Sequence, residues 1–177
     1  MGQIDDVLAD LAAFAASNAT EAQLIGSKQA RVSRIVRGSV AQLWQAFTDE
    51  ALLRRWQLGP DGWEMTVCNV GAEVGAVVHT EWRNLESDES FGFIGNVVES
   101  SPKYRLVTTE RMVSPADPEG ASSPETLNEL TLTPVEGGTL ASYLITYPDA
   151  ETREMVLATG MADGMEASFL RLERDVF

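Results

Sequence analysis

The 177-residue chain has one cysteine and one histidine. A lone Cys68 rules out an internal disulfide. Zinc is poorly served too, since Cys68 and His79 stand alone, with no paired spacing such as C-x-x-C. With a single histidine, no nucleophilic triad forms without His79. No apolar run of 18 residues exists, so no membrane-spanning helix is expected. Positive charge is scarce: 13 Lys and Arg against 27 Asp and Glu give a formal charge of −14. Such a surface repels phosphate backbones and anionic lipid, which argues against nucleic acid or membrane as the main partner. No G-x-G-x-x-G, Walker loop or G-x-S-x-G is present, and "GPDG", "GAEVGA" and "EGG" read as turns. The start, "MGQIDDVLADLAAFAAS", carries acids where a secretory signal needs positive charge, and no small hydroxyl residue follows Gly2 as myristoylation requires. These absences predict a soluble cytoplasmic protein with no cofactor and no metal.

What is present has the composition of one globular domain, 44% apolar and 23% charged. Residues 4 to 16 have helical character, with Ile4, Val7, Leu8 and Leu11 on one face, followed by a linker through Gly26-Ser27. The expected organisation is 1–28 as N-terminal helix and linker and 29–177 as the domain. Val32, Arg34 and Val36 alternate with Ser33, Ile35 and Arg37, which predicts a strand. Ser39 then caps a helix bearing Leu43, Trp44 and Phe47, and Thr48 or Asp49 opens a second through Leu52, Leu53 and Trp56. Beyond Trp63 the period changes to two. Strands are expected near 63–68, 74–82, 91–99, 104–112, 126–134 and 139–147, separated by hairpin turns. "VSPADPEGASSPE", 113–125, reads as a long mobile loop. One helix from 148 to about 176 closes the chain, its apolar positions including Met155, Met161, Met165, Phe169 and Leu172. The class is α+β: a curled antiparallel sheet gripping a long C-terminal helix, with a cavity between them.

Four segments carry a resemblance: "SVAQLWQAFTDEALLRRW", "GNVVESSPKYRLVTTE", "LTLTPVEGGTLASYLIT" and "ETREMVLATGMADGMEASFLRLERDV". Together they resemble the START-like (SRPBCC) superfamily, in the branch named for the C-terminal domain of the heat-shock-protein ATPase activator. The matching positions are Leu43-Trp44, Ala46, Thr48-Asp49, Leu53 and Trp56; Gly95, Val97, Glu99, Pro102 and Arg105-Leu106; Gly137 to Thr139; and Gly160-Met161, Gly164 and Arg171-Leu172. The resemblance spans about 31–176 and implies a helix-grip fold and, for this branch, a homodimer in which the N-terminal helix would take part. The chain departs from the pattern at "NVGAEVGA", where the family often has Asp-x-Arg-Pro-Gly-Gly. Asn69 stands in place of the acid, and the arginine is lost.

The expected function is binding of a small hydrophobic molecule, with no covalent chemistry. Its candidate residues are Trp56, Trp63, Trp82, Phe93, Tyr104, Thr108, Glu110, Asn128, Met161 and Met165. The tryptophans and methionines have core packing as the competing role. Glu110 stands out, because a carboxylate in an apolar hollow has a raised pKa and would bind a ligand amine or act as a base. The superfamily implies a polyketide-cyclase- or hydrolase-like enzyme as one alternative, using Glu110 with Tyr104. The branch implies chaperone-ATPase activation as another. A cavity below about 300 Å³ would weigh against an ordinary ligand site. Cys68 is expected to be inert, His79 and Glu81 to share a solvated strand face, and Gly160 and Gly164 to mark close helix–sheet approach or room for a ligand.

Overall fold

The computed structural model describes residues 19–177. The helix expected over 4–16 lies outside the described residues. Within them run β1 (Glu21–Ile25), β2 (Gln29–Val36), α1 (Val40–Thr48), α2 (Glu50–Trp56), β3 (Trp63–Asn69), β4 (Val77–Asn84), β5 (Ser90–Ser101), β6 (Arg105–Val113), β7 (Thr126–Val135), β8 (Gly138–Thr146), α3 (Ala150–Leu157) and α4 (Met161–Asp175). The strands form one antiparallel, unclosed sheet in the order β1-β2-β8-β7-β6-β5-β4-β3. This is the α+β helix-grip architecture.

The order explains where the helices go. Strand β2 sits near one edge and β3 is the other, so α1 and α2 must cross the sheet between them. Local chemistry starts both helices where the sequence indicates. Ser39 and Gln42 form a reciprocal cap: the Gln42 N–H donates to Ser39 Oγ at 3.2 Å and the Ser39 N–H to Gln42 Oε1 at 2.9 Å. Asp49 Oδ1 accepts from the Leu52 N–H at 3.0 Å. Helix α1 then packs on β7 and β8, and α2 on β3. Leu43, Phe47, Leu53 and Trp56 are buried in one core with Val97, Leu130, Leu132, Phe169 and Leu172.

The last helix is held by charge as well as by apolar packing. Arg34, on the buried face of β2 between Val32 and Val36, is 1% exposed. Its Nε lies 3.2 Å from Glu166 Oε2 and its Nη2 3.5 Å from Glu173 Oε2. Glu166 and Glu173 are two turns apart on α4, so both carboxylates point from the same helix face. Each is also tied to backbone: the Arg37 N–H donates to Glu173 Oε1 at 2.8 Å, and the Thr20 N–H to Glu166 Oε2 at 2.8 Å. Helix α4 therefore lies on β2 and α2 rather than across the middle of the sheet.

Several expectations are corrected. The linker expected before residue 28 contains β1, paired with β2 from Glu21↔Ser33 to Ile25↔Gln29. The terminal helix is two helices, because Gly160 adopts φ 82°, a left-handed conformation that ends α3 and starts α4. Close approach explains neither helical glycine, since a Cβ at Gly160 or Gly164 would meet nothing within 4 Å. Met155 is exposed, and Thr152 and Arg153 face inward instead. The 113–125 loop is built on Asp117, whose carboxylate accepts from the Ala121 and Ser122 N–H groups at 2.9 Å each. A bulge between Met65 and Val67 resets the parity of β3, so Met65 and Cys68 both reach the core.

Two outcomes follow for stability. Arg34→Met strands two acids, one of them buried, and is expected to lower the urea unfolding free energy by about 3–5 kcal/mol; adding Glu173→Leu to it should restore much of the loss. Gly160→Ala should destabilise by about 1 kcal/mol because of its positive φ, whereas Gly164→Ala should stabilise by about 0.5–1 kcal/mol.

Candidate functional site

On the inner surface of the sheet, the periodic large apolar residues give way to small and polar ones. Thr80 on β4, Thr108 on β6 and Asn128 on β7 occupy inward positions in register with Phe93, Asn128 and Ile145 of the neighbouring strands. In β5, Gly95 is pinched against its neighbour, where a Cβ would fall 1.8 Å from Thr109 O, and it adds no side chain. The missing bulk leaves a partly open hollow of about 120 Å³.

Its roof is Phe47 of α1 with Leu53 and Gln57 at the end of α2. Its floor is Val78 and Thr80, then Leu106, Thr108 and Glu110, then Asn128 and Leu130, with Tyr143 of β8 beyond. One wall is Val70-Gly71, part of the turn where the sequence departs from its family pattern. No residue of α3 or α4 takes part. The expected cavity under the terminal helix is therefore displaced to lie under α1 and α2. Phe169 and Leu172 fill the space beneath α4, where Phe169 stacks on Trp56 at 6.2 Å between ring centroids.

Among the described residues, Glu110 is the only carboxylate lining the hollow. By exposure it is half-buried. Burial there pushes its pKa up to about 7, against a smaller lowering by a hydrogen bond from Asn128. Burial, and then the nearby Glu110 charge, also raise the Tyr143 phenol. Asn128 Oδ1 has no hydrogen-bond partner among the described residues. Near neutral pH Glu110 is thus poised between neutral and charged, able to donate or accept a proton or to hold a cation.

The hollow brings together three of the ten expected site residues: Thr108, Glu110 and Asn128. Trp56 is sealed in the core, its indole N–H donating to Ala46 O at 3.0 Å. Trp63, Trp82 and Phe93 join Phe91 in an aromatic cluster at the β3–β5 corner, with centroids 5.2 to 6.1 Å apart. Trp82 Nε1 donates to Gln57 O at 2.8 Å, so the cluster abuts the end of α2 without lining the hollow. Met161 packs on Ala30, Ile145 and Tyr147, and Met165 on the main core. Tyr104 is 59% exposed. It has the inward parity of Leu106, but it precedes β6 beside Lys103, whose φ is 73°, beyond the reach of the core. The pairing of Glu110 with Tyr104 is thereby replaced by Glu110 with Tyr143. Tyr143 was missed, though its period-two relation to Ala141 and Ile145 marks the face it occupies.

His79 Nε2 and Glu81 Oε1 pair at 2.6 Å on the outer face of β4. Glu81 also borders a surface depression of about 230 Å³ with Ser90, Val113 and Pro115. That depression is larger, but its one carboxylate is already taken by His79. Among the described residues no cluster of His, Cys, Asp or Glu could hold a metal ion, and no helix is long and apolar enough to cross a membrane.

The charge on Glu110 has a consequence for stability. Below pH 4.5, its ordinary value, the group is neutral whether folded or unfolded. As pH rises through 7 the folded state must ionise it in the hollow, and the cost is complete above that. Glu110→Gln should therefore raise stability by about 1–3 kcal/mol at pH 8 and leave it unchanged at pH 4.5, as read by thermal unfolding at the two pH values.

The family model described as "Activator of Hsp90 ATPase homolog 1-like protein" matches residues 37–176. No protein of curated function matches. Among solved structures, a protein of Rhodobacter sphaeroides is 30% identical with a TM-score of 0.78, over 87% of this chain and 95% of that one. A protein of Mycobacterium smegmatis, 18% identical, has a TM-score of 0.73 over 87% and 96% of the two chains. An AHSA1-like protein of Aeromonas hydrophila, 17% identical, has a TM-score of 0.63 over 82% and 92%. With a match that takes in the α1–α2 clip, strands β3 to β8 and the closing helices, the chain belongs to the Activator of Hsp90 ATPase homolog 1-like family.

Proposed function

We propose that the protein binds a small molecule in the hollow beneath α1 and α2, without covalent chemistry. The observation that carries this reading is a raised-pKa carboxylate, Glu110, grouped with Thr80, Thr108, Asn128 and Tyr143 in a space whose other side chains, Gln57 apart, are apolar. Volume sets the size of the occupant. An engineered apolar cavity of about 150 Å³ holds one benzene. The 120 Å³ here takes a ligand of that order or less, or one end of a longer molecule that leaves through the open side.

The same volume favours a second reading. It falls below the roughly 300 Å³ of ordinary ligand pockets, and the family's name speaks for contact with a chaperone ATPase. With a formal charge of −14, the partner surface in that case is basic.

Gly71 offers a test, because a Cβ there meets only Ala76 Cβ at 3.6 Å, an ordinary contact. Gly71→Leu adds bulk to the hollow wall. Screening small aromatic and aliphatic compounds by two-dimensional NMR should show saturable shifts at Thr80, Thr108 and Tyr143, weakened at least ~tenfold by Gly71→Leu. Native mass spectrometry should show any retained molecule lost from the same variant. If no compound shifts these residues while an Hsp90-type ATPase is stimulated equally by both forms, the second reading replaces the first.

A further inference from the structure

The geometry points to a small organic ammonium as the occupant of this hollow. The inference rests on the ligand-binding reading and names the chemistry of its ligand. Its basis is an imbalance between two inward-facing charges, Arg34 buried and Glu110 half-buried. Arg34 is buried with two carboxylates facing it at 3.2 and 3.5 Å. Glu110 has nothing comparable. No Lys, Arg or His is among the residues that line its hollow.

Helices α1 and α2 present Phe47, Leu53 and Gln57, none of which titrates. Strand β4 presents Val78 and Thr80, with His79 and Glu81 on its other face, paired to each other at 2.6 Å. Strand β7 presents Asn128, which donates a hydrogen bond to Glu110. Strand β8 presents Tyr143, with Tyr147 just past its end, two phenols whose pKa values are raised by burial first and then by the Glu110 charge. Arg153, a cation that acts on Tyr147, is already engaged by Gly26 O, Gln29 O and Glu154.

A buried carboxylate without a counter-cation is costly, and a ligand that brings the charge removes that cost. The rest of the lining suits an alkylammonium. Thr80 and Thr108 hydroxyls can accept N–H bonds. The rings of Phe47 and Tyr143, 5.9 Å apart and edge to face, provide π surface within reach of a cation. Leu53, Val78, Leu106 and Leu130 take the hydrocarbon part. A ligand anion would meet Glu110 unscreened, and a neutral alcohol would gain the apolar contacts alone.

Three probes of similar size separate these cases: n-butylammonium chloride, n-butanol and sodium butyrate. Each is titrated by two-dimensional NMR into the full-length protein at pH 8, with potassium chloride holding ionic strength constant. The expected result is saturable shifts at Thr108, Glu110, Asn128 and Tyr143 for butylammonium, at least ~tenfold tighter than for butanol, and none for butyrate. Glu110→Gln should bring butylammonium down to the butanol level and leave butanol unaffected. Lowering the pH from 8 to 5.5 should weaken butylammonium at least ~tenfold in the wild-type protein, because Glu110 takes up a proton while the ammonium stays charged. That series decides the matter on its own if Glu110→Gln does not fold. Equal affinity for butylammonium and butanol, or tighter binding of butyrate, overturns the ammonium inference while leaving a binding site in place. Absence of saturable shifts with all three probes removes the site itself.

Discussion

The guanidinium of Arg34 decides where the end of the chain lies. It sits in an inward position of β2 that alternation would give to a valine or leucine, and at 1% exposure it is not sustained by water. Among the described residues the two acids of α4 compensate it, and they do so when the helix lies along β2. Apolar packing alone would let a helix with an apolar stripe slide or rotate over a curled sheet at little cost. A buried charge with two partners on one helical face permits one placement. Thr20 and the backbone of Arg37 complete the arrangement by hydrogen-bonding the same carboxylates.

The hollow follows from that placement. With α4 drawn toward β2 and α2, the hollow on the inner surface of β4, β6 and β7 is covered by the two short helices and the Val70-Gly71 turn. Their cover is incomplete because the floor there is made of Thr80, Thr108 and Asn128, and because β5 contributes only Gly95 opposite Val78. The Arg34 cation thus has two carboxylates facing it, whereas Glu110, half-buried, has no cation among the described residues that line its hollow. The first organises the fold. The second sits where a ligand would meet it, at a cost in stability that structural duty does not explain.

Features set by neighbours in sequence were legible. Ser39 and Asp49 cap their helices because the donors they satisfy are three residues away. Strand alternation placed Thr108 and Glu110 on the inner face along with Leu106. Arg34 was visible as a charge in step with Val32 and Val36, although its acids, more than a hundred residues on, were not. What escaped depended on tertiary reach. Parity tells which face Tyr104 belongs to but not that the core ends before it. A tryptophan at an apolar position has the same signature as core and as pocket wall, so Trp56 and Trp82 could not be assigned. The composition of 113–125 also gave no sign that the carboxylate of Asp117 would accept from the Ala121 and Ser122 N–H groups. The bulge at Met65 and Val67 has no sequence signal of its own.

That bulge turns Cys68 inward, where its thiol approaches Glu50 O at 3.9 Å and burial raises its pKa despite the opposing pull of Arg54. A thiol so placed is scarcely ionised near neutrality and is shielded from reagents. The protein's one native sulfhydryl is thus silent toward maleimides and spin labels. A cysteine introduced at the exposed Tyr104 or Leu127 would be modified alone, giving a reporter at a chosen point on the sheet without first stripping the core of its own sulfur.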